Sequence, residues 1–319
     1  STLLMHIILN KSVVLFSRNW LKPNVLMYLE EEAGNYYVSV KNFCSFLNFF
    51  KLKSKLDEIP PSEHAIIDFS LCEFVDHTVM EGLNDYSRSF SRQGGFFEII
   101  GLDIHEAKTE HPFAIRKSLP ESSLFNFQVS LTKRQKLLQK LSSILNWNYL
   151  PDPVSNYVDL ERFLYFKTRL INYRYNSLES QNKEFLLFDL SYSEGAFIAK
   201  EDLRSTFLQI KTSKNMPIFV LDKENFMTAL FQLSGLKDIN FKQHRNFSRR
   251  FYLSGENEKS IRSFFTEDLI VFFESHPAFY LESKGDSILI RGKERLASIQ
   301  EVKQILSFAE ELLKILENK

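Results

Sequence analysis

The chain has 319 residues, with 44% hydrophobic and 25% charged side chains, a balance that suits a globular rather than a disordered protein and, at this length, favours two domains over one. Lys+Arg and Asp+Glu each number 40, so the net charge is zero and nothing in the overall balance argues for a nucleic-acid partner. Two cysteines, Cys44 and Cys72, are too few for a disulfide framework and have no metal-binding spacing. No run of about 20 apolar residues occurs, so no complete membrane-spanning helix is expected.

Thr2 to Leu9 is apolar but short, and it is followed by Lys11, Arg18, Trp20 and Lys22. This is the composition of the cytoplasmic end of a membrane span, and equally of an ordinary buried first helix or strand. A chain that opens on Ser1 is expected to be a fragment or a processed product. Val25–Leu29 and Tyr36–Val40 flank a polar turn at Glu30–Asn35 and predict a β-hairpin. Phe46, Leu47, Phe50, Leu52 and Leu56 predict a helix that stops before Pro60-Pro61. Ala65–Phe69 predicts a buried strand. Val79, Leu83, Tyr86 and Phe90 mark one face of a helix, closed by Gln93-Gly94-Gly95. Phe96–Ile100 predicts another strand, and His111-Pro112-Phe113-Ala114 the start of a short closing helix. The alternation of strands and helices predicts an α/β layer with a mixed sheet covered by helices.

Pro120–Ser123 reads as a loop, and Leu137, Leu138, Leu141, Ile144 and Leu145 as an amphipathic helix bridging to the second half of the chain. Strands are expected at Phe185–Leu190, Pro217–Leu221, Arg250–Leu253, Ala278–Glu282 and Ser287–Arg291. Helices are expected at Glu224–Leu233, Glu258–Glu274 and Glu294–Leu316. Grouped strands with uneven connections predict an α+β domain.

The stretch His64-Ala65-Ile66-Ile67-Asp68-Phe69-Ser70, followed by Phe74-Val75-Asp76-His77-Thr78-Val79-Met80-Glu81-Gly82-Leu83, resembles the STAS signature: a strand ending in Asp-x-Ser, a short spacer, an Asp, two small or polar residues and a helix. Asp76–Glu81 and His111–Lys117 resemble the version in one group of bacterial SulP-type anion permeases. Val40-Lys41-Asn42, Phe46-Leu47-Asn48, Leu52-Lys53 and Leu56 are similar to the first strand and helix of the same group. The resemblance covers about the first third of the chain. It implies a juxtamembrane lead at 1–27, a STAS domain at 28–118, a linker and bridging helix at 119–150, and an α+β extension domain at 151–319.

The function implied is a non-catalytic regulatory and interaction region of a sulfate- or bicarbonate-class transporter, on the cytoplasmic face of the inner membrane. Its implied partners are the membrane domain of the same permease, a second copy of the chain, or a cytosolic regulatory protein. No nucleic acid, cofactor or metal is expected. The alternative is a free-standing STAS protein of a partner-switching phosphorylation cascade, in which a Ser or Thr at the position of Thr78 is phosphorylated.

Physically, Asp76 or Thr78 is expected to cap the helix by accepting from its first N–H groups. A phosphate on Thr78 would sit at the positive end of the helix dipole. The Ser-Ser-Gly or Ser-Thr-Gly of the free-standing STAS proteins is replaced here by His77-Thr78-Val79, and Val79 and Met80 are expected to make this site bulkier. Asp76, His77 and Thr78 are therefore the candidate regulatory residues. His64, His77, His105 and His111 lie at strand ends and loops without metal-ligand spacing. His244, Arg245, Arg249 and Arg250 form a basic cluster suited to phosphate or acidic headgroups, or to a solvated strand edge. Asp189, Glu194, His244 and His276 are acid–base groups with no visible arrangement, and only a deep pocket joining two or more of them would indicate an enzyme.

Overall fold

The computed structural model describes residues 24–30, 33–107, 109, 111–119, 131–155, 158–195, 201–223 and 238–317. The chain forms two compact units, Ser1–Lys136 and Leu137–Lys319, and the division falls inside the helix α3 (Lys133–Leu145). Among the described residues no helix is long and apolar enough to cross a membrane. The expected lead at 1–27 lies outside the described residues up to Lys22 and Pro23; the remainder belongs to the first strand.

In the first unit β1 (Asn24–Glu30) and β2 (Asn35–Cys44) form the expected antiparallel hairpin, with Gly34 at φ +64° in its turn. Helix α1 (Phe49–Leu56) comes next, then β3 (His64–Val75), α2 (His77–Arg92), β4 (Phe96–Ile100), β5 (His105–Ala107) and β6 (Arg116–Ser118). β3 is the centre of a mixed sheet ordered β1-β2-β3-β6-β5. It runs parallel to β2 throughout, parallel to β4 over His64–Asp68, and antiparallel to β6 at Phe74 and Val75.

Val38, Val40, Ala65, Ile67 and Phe69 pack against Leu52 and Leu56 of α1 and Val79, Leu83 and Phe90 of α2. Each such side chain contributes about 1.5–3 kcal/mol on full burial. Gly82 lets the ring of Phe49 lie against α2; a methyl group there would collide with it. Gly101, at φ +83°, passes so close to the Ser70 backbone that no side chain fits.

Two local expectations are corrected. The spacer Ser70–Val75 is strand, because β2 continues beside it as far as Cys44↔Val75 and β6 pairs with its end. No helix starts at His111: the chain turns there, Ala114 N–H bonding to the His111 carbonyl, and then enters β6.

Among its described residues the second unit is built on an eight-stranded sheet in which every pairing is antiparallel. Its strands are β7 (Asn148–Leu150), β8 (Arg169–Glu179), β9 (Phe185–Glu194), β10 (Glu201–Lys211), β11 (Phe219–Lys223), β12 (Phe251–Gly255), β13 (Tyr280–Ser283) and β14 (Ser287–Arg291). Their spatial order is β12-β11-β13-β14-β10-β9-β8-β7.

One face carries Leu187, Leu208, Leu221, Leu253, Leu281 and Ile290, with Phe185, Phe219 and Phe251 beside them. It packs with the apolar sides of α3, α4 (Arg245–Arg250), α5 (Glu258–Phe264), α6 (Glu267–Ser275) and α7 (Ile299–Glu317). Trp147 stacks on Phe185 at its margin, ring centroids 5.7 Å apart. The other face is lined by Phe188, Leu190, Tyr192, Phe207, Tyr252, Tyr280 and Leu289 and carries Leu160, Phe163, Tyr165 and Phe166 of a strap with two short 3-10 turns.

The expected helix Glu258–Glu274 is two helices, broken where Thr266 turns extended (φ −64°, ψ 165°). The last helix starts at Ile299 rather than Glu294. The expected helix Glu224–Leu233 lies outside the described residues.

Candidate functional site at the start of the second helix

Asp76 leaves β3 in an extended conformation (φ −86°, ψ 172°) and begins α2. Its carboxylate is buried and bridges two segments: Oδ1 accepts the Val79 N–H at 3.0 Å, and Oδ2 accepts the Phe46 N–H at 2.5 Å. Asp76 is thus the cap expected from the sequence. It also fastens the turn before α1, which sequence periodicity does not reveal. A negative group here is favoured by the positive helix end as well as by its two hydrogen bonds.

His77 and Thr78 occupy the first turn and are exposed. His77 Nδ1–H donates to the Phe113 carbonyl at 2.8 Å, and its ring lies 5.9 Å from that of His111. Phe113 N–H in turn donates to His111 Nδ1 at 3.2 Å. Val79 and Met80 are buried in the core, so the expectation that they make the outer surface bulkier is corrected: their bulk points inward.

Cys44 and Cys72 are buried. Burial pushes both thiols up, Cys72 to about 12, which leaves them poor nucleophiles. Among the described residues no group of three or more His, Cys, Asp or Glu could hold a metal. His64 sits beside Phe96, while His105 is buried with Nε2 at 2.6 Å from the Cys72 carbonyl.

In the second unit the basic cluster lies on the short helix α4 rather than on a strand edge. Arg250 is turned inward and donates to the carbonyls of Phe273, Glu274 and His276, closing the end of α6. Arg245 and Arg249 are exposed, and His244 precedes the helix. The four acid–base groups have separate surroundings. Asp189 accepts from Asn176 and Thr206, Glu194 pairs with Arg169, and His276 lies 3.2 Å from Glu311. None of these four lines the groove of about 390 Å³ along α2 (Asp85, Arg88, Arg92) or the cavity of about 220 Å³ beside Lys214 and Leu316.

A buried polar cluster, invisible to local sequence patterns, holds the strap. The guanidinium groups of Arg169 and Arg291 lie over the Tyr165 ring, 4.1 and 4.9 Å from its centroid, and the Tyr165 hydroxyl is 2.9 Å from that of Tyr192. The Glu282 carboxylate accepts from Leu164 N–H, Tyr165 N–H and the Tyr280 hydroxyl. Burial raises the Glu282 carboxyl even against these bonds. Burial also pushes Asp222 up to about 6, although the charge of Arg291 opposes it. The parts are contributed by five strands and the strap, so only the tertiary fold assembles them.

No family model matches the chain, and no curated protein matches it. Solved structures similar to parts of it include the following two. The mycobacterial trehalose monomycolate transport factor A, TtfA, aligns with a TM-score of 0.40 and 6% identity over 57% of this chain and 93% of that one. The STAS domain of an antisigma-factor antagonist from Rhodobacter sphaeroides aligns with a TM-score of 0.21 and 16% identity over 25% of this chain and 87% of that one. These are weak likenesses, one of them to a STAS domain, and the mixed α/β character of the first unit stands on its own strand order.

Proposed function

We propose that this chain is the cytoplasmic regulatory and interaction region of a SulP-type inorganic anion transporter of the sulfate or bicarbonate class, and that it performs no chemistry itself. The observation that carries this reading is the Asp76 bridge. One carboxylate fixes both the start of α2 and the turn at Phe46, and it leaves His77 and Thr78 facing outward at a positive helix end. The residues of that strand–turn–helix are the ones in which the sequence resembles the permease group. Its partners would be the membrane domain of the same permease, a second copy of the chain, or a cytosolic regulatory protein. The test is the reading frame upstream of the Ser1 codon. It should continue through several segments of about 20 apolar residues. A start codon next to Ser1 with no membrane part would overturn the proposal.

The exposed Thr78 hydroxyl favours a second reading, a free-standing STAS protein of a partner-switching cascade. Its phosphate would meet the helix dipole without requiring α2 to melt. Incubation with a kinase encoded nearby, followed by mass spectrometry, should then show phosphate on Thr78. An unmodified Thr78 would remove this reading and leave the first untouched.

A further inference from the structure

Five arginines are buried among the described residues: Arg116, Arg134, Arg169, Arg291 and Arg295. Four of them meet a carboxylate. Arg134 lies 2.8 Å from Asp103, Arg169 3.1 Å from Glu194, Arg291 3.2 Å from Glu294 and Arg295 2.7 Å from Glu301. Arg116 is the exception. It is 8% exposed, and its Nε and Nη1 are buried without a hydrogen-bond partner among the described residues. Burial lowers its guanidinium, and the charge of Asp103 opposes this. Asp103, however, is already committed to Arg134 Nη1 and the Thr132 hydroxyl. Two guanidinium groups therefore share one carboxylate, and one positive charge lies below the surface without its own counter-charge.

The sheet explains the position. β6 lies between β3 and β5, and Arg116 stands opposite Val75 on one side and Ala107 on the other. Strand alternation puts Ser118 on the same side of the sheet as Arg116 and sends Lys117 and its neighbour Glu106 to the other side. The carboxylate of β5 thus faces away from Arg116. Ser118 is half-buried.

We propose that Arg116 anchors a binding site for a small inorganic oxyanion of the phosphate or sulfate class, with the Ser118 hydroxyl as a second donor. A planar guanidinium matches two oxygens of such an ion at once. A buried charge without a partner is strongly unfavourable, and the ion supplies the partner that Asp103 cannot. The recessed position selects by size: a free ion can reach a group so little exposed, whereas a membrane surface or a folded partner is held off by the flanking strands. This inference rests on Arg116 and its surroundings and not on the transporter reading.

The test is isothermal titration calorimetry of the full chain with sodium phosphate and sodium sulfate, against acetate and chloride at equal ionic strength. Saturable binding of phosphate or sulfate is expected, with a matching rise in the urea midpoint. Arg116→Gln should weaken binding by about tenfold or more, and Ser118→Ala by about threefold or more. Arg92→Gln, which changes an exposed arginine of α2, should leave it unchanged. Without the anion, Arg116→Gln should be at least as stable as the unsubstituted chain, because it removes a charge that no carboxylate is free to pair. A less stable or unfolded Arg116→Gln would show that Arg116 serves the fold through Asp103, and would overturn the proposal. So would the lack of saturable binding, binding that Arg116→Gln leaves intact, or acetate held as tightly as phosphate, which would assign the guanidinium to a carboxylate.

Discussion

In the first unit the buried carboxylates of Asp68, Asp76 and Asp103 make separate local ties, whereas the second unit joins tyrosines, arginines and carboxylates across one face of its sheet. Asp68 takes the Tyr37 hydroxyl, Asp76 the turn at Phe46, and Asp103 the start of α3 through Thr132 and Arg134. In the second unit, Glu282, Tyr280, Arg291 and Tyr165 are linked in succession, and Tyr165 in turn meets both Arg169 and Tyr192. Separate ties permit local loosening when one is removed, while a linked set transmits the loss of one member to the others. The accessible polar residues His77 and Thr78 belong to the unit with separate ties.

The comparison can be broken most sharply at Asp103. It and Arg134 form a deeply buried ion pair at 2.8 Å. Asp103→Asn leaves the guanidinium without its counter-charge and should cost about 3–5 kcal/mol. Hydrogen exchange should show lost protection in residues 24–107 while 148–317 retain theirs; uniform loss would contradict the separation between the units.

Glu301 supplies the next largest effect. Burial pushes its carboxyl up, but the hydrogen bonds and charge of Arg295, with Lys293 and the Ser298 N–H, outweigh this and hold it at about 2. Its contribution of about 3 kcal/mol is present above the ordinary carboxylate range and is lost as pH falls from about 4.5 through about 2. Glu301→Gln should lower stability at neutral pH and flatten this acid limb in denaturant titrations.

Asp222 should act in the opposite direction. Its raised folded value means that its favourable contribution is complete below about 3.8 and is lost as pH rises through about 6. Asp222→Asn should therefore stabilise the protein by about 2–3 kcal/mol at neutral pH, seen as a higher urea midpoint, and should change little at low pH. A smaller loss, about 1–2 kcal/mol, is expected for Asp76→Ala, which removes two acceptors from backbone N–H groups. Faster amide exchange at Phe46 and Val79 would check it. A loss spread over the whole sheet would mean that Asp76 is more than a local tie.

Much of the first unit was legible because its signals are local. The hairpin at β1 and β2, the apolar run at β3, the face Val79–Phe90 and the glycine stop at Gly94 each read correctly from neighbours in sequence. The extension of β3 through Ser70–Val75 was not legible, since its justification is the distant β6. Strands β8 and β10 were missed for a related reason: Asn176, Ser205, Thr206 and Gln209 are polar yet buried, which disguises the alternation of a strand. Their partners, such as Asp189 and Ser287, lie on other strands. The cap at Asp76 could be read from sequence, but its hold on Phe46 N–H could not, because that contact joins residues 30 apart.

The stack of Trp147 on Phe185 gives the molecule a built-in optical probe. It is the one indole among the described residues, and it belongs to the second unit. In a Trp20→Phe background, fluorescence during unfolding would follow that half of the chain alone. Circular dichroism would follow both, and a divergence between the two curves would reveal a state in which one half has melted while the other persists.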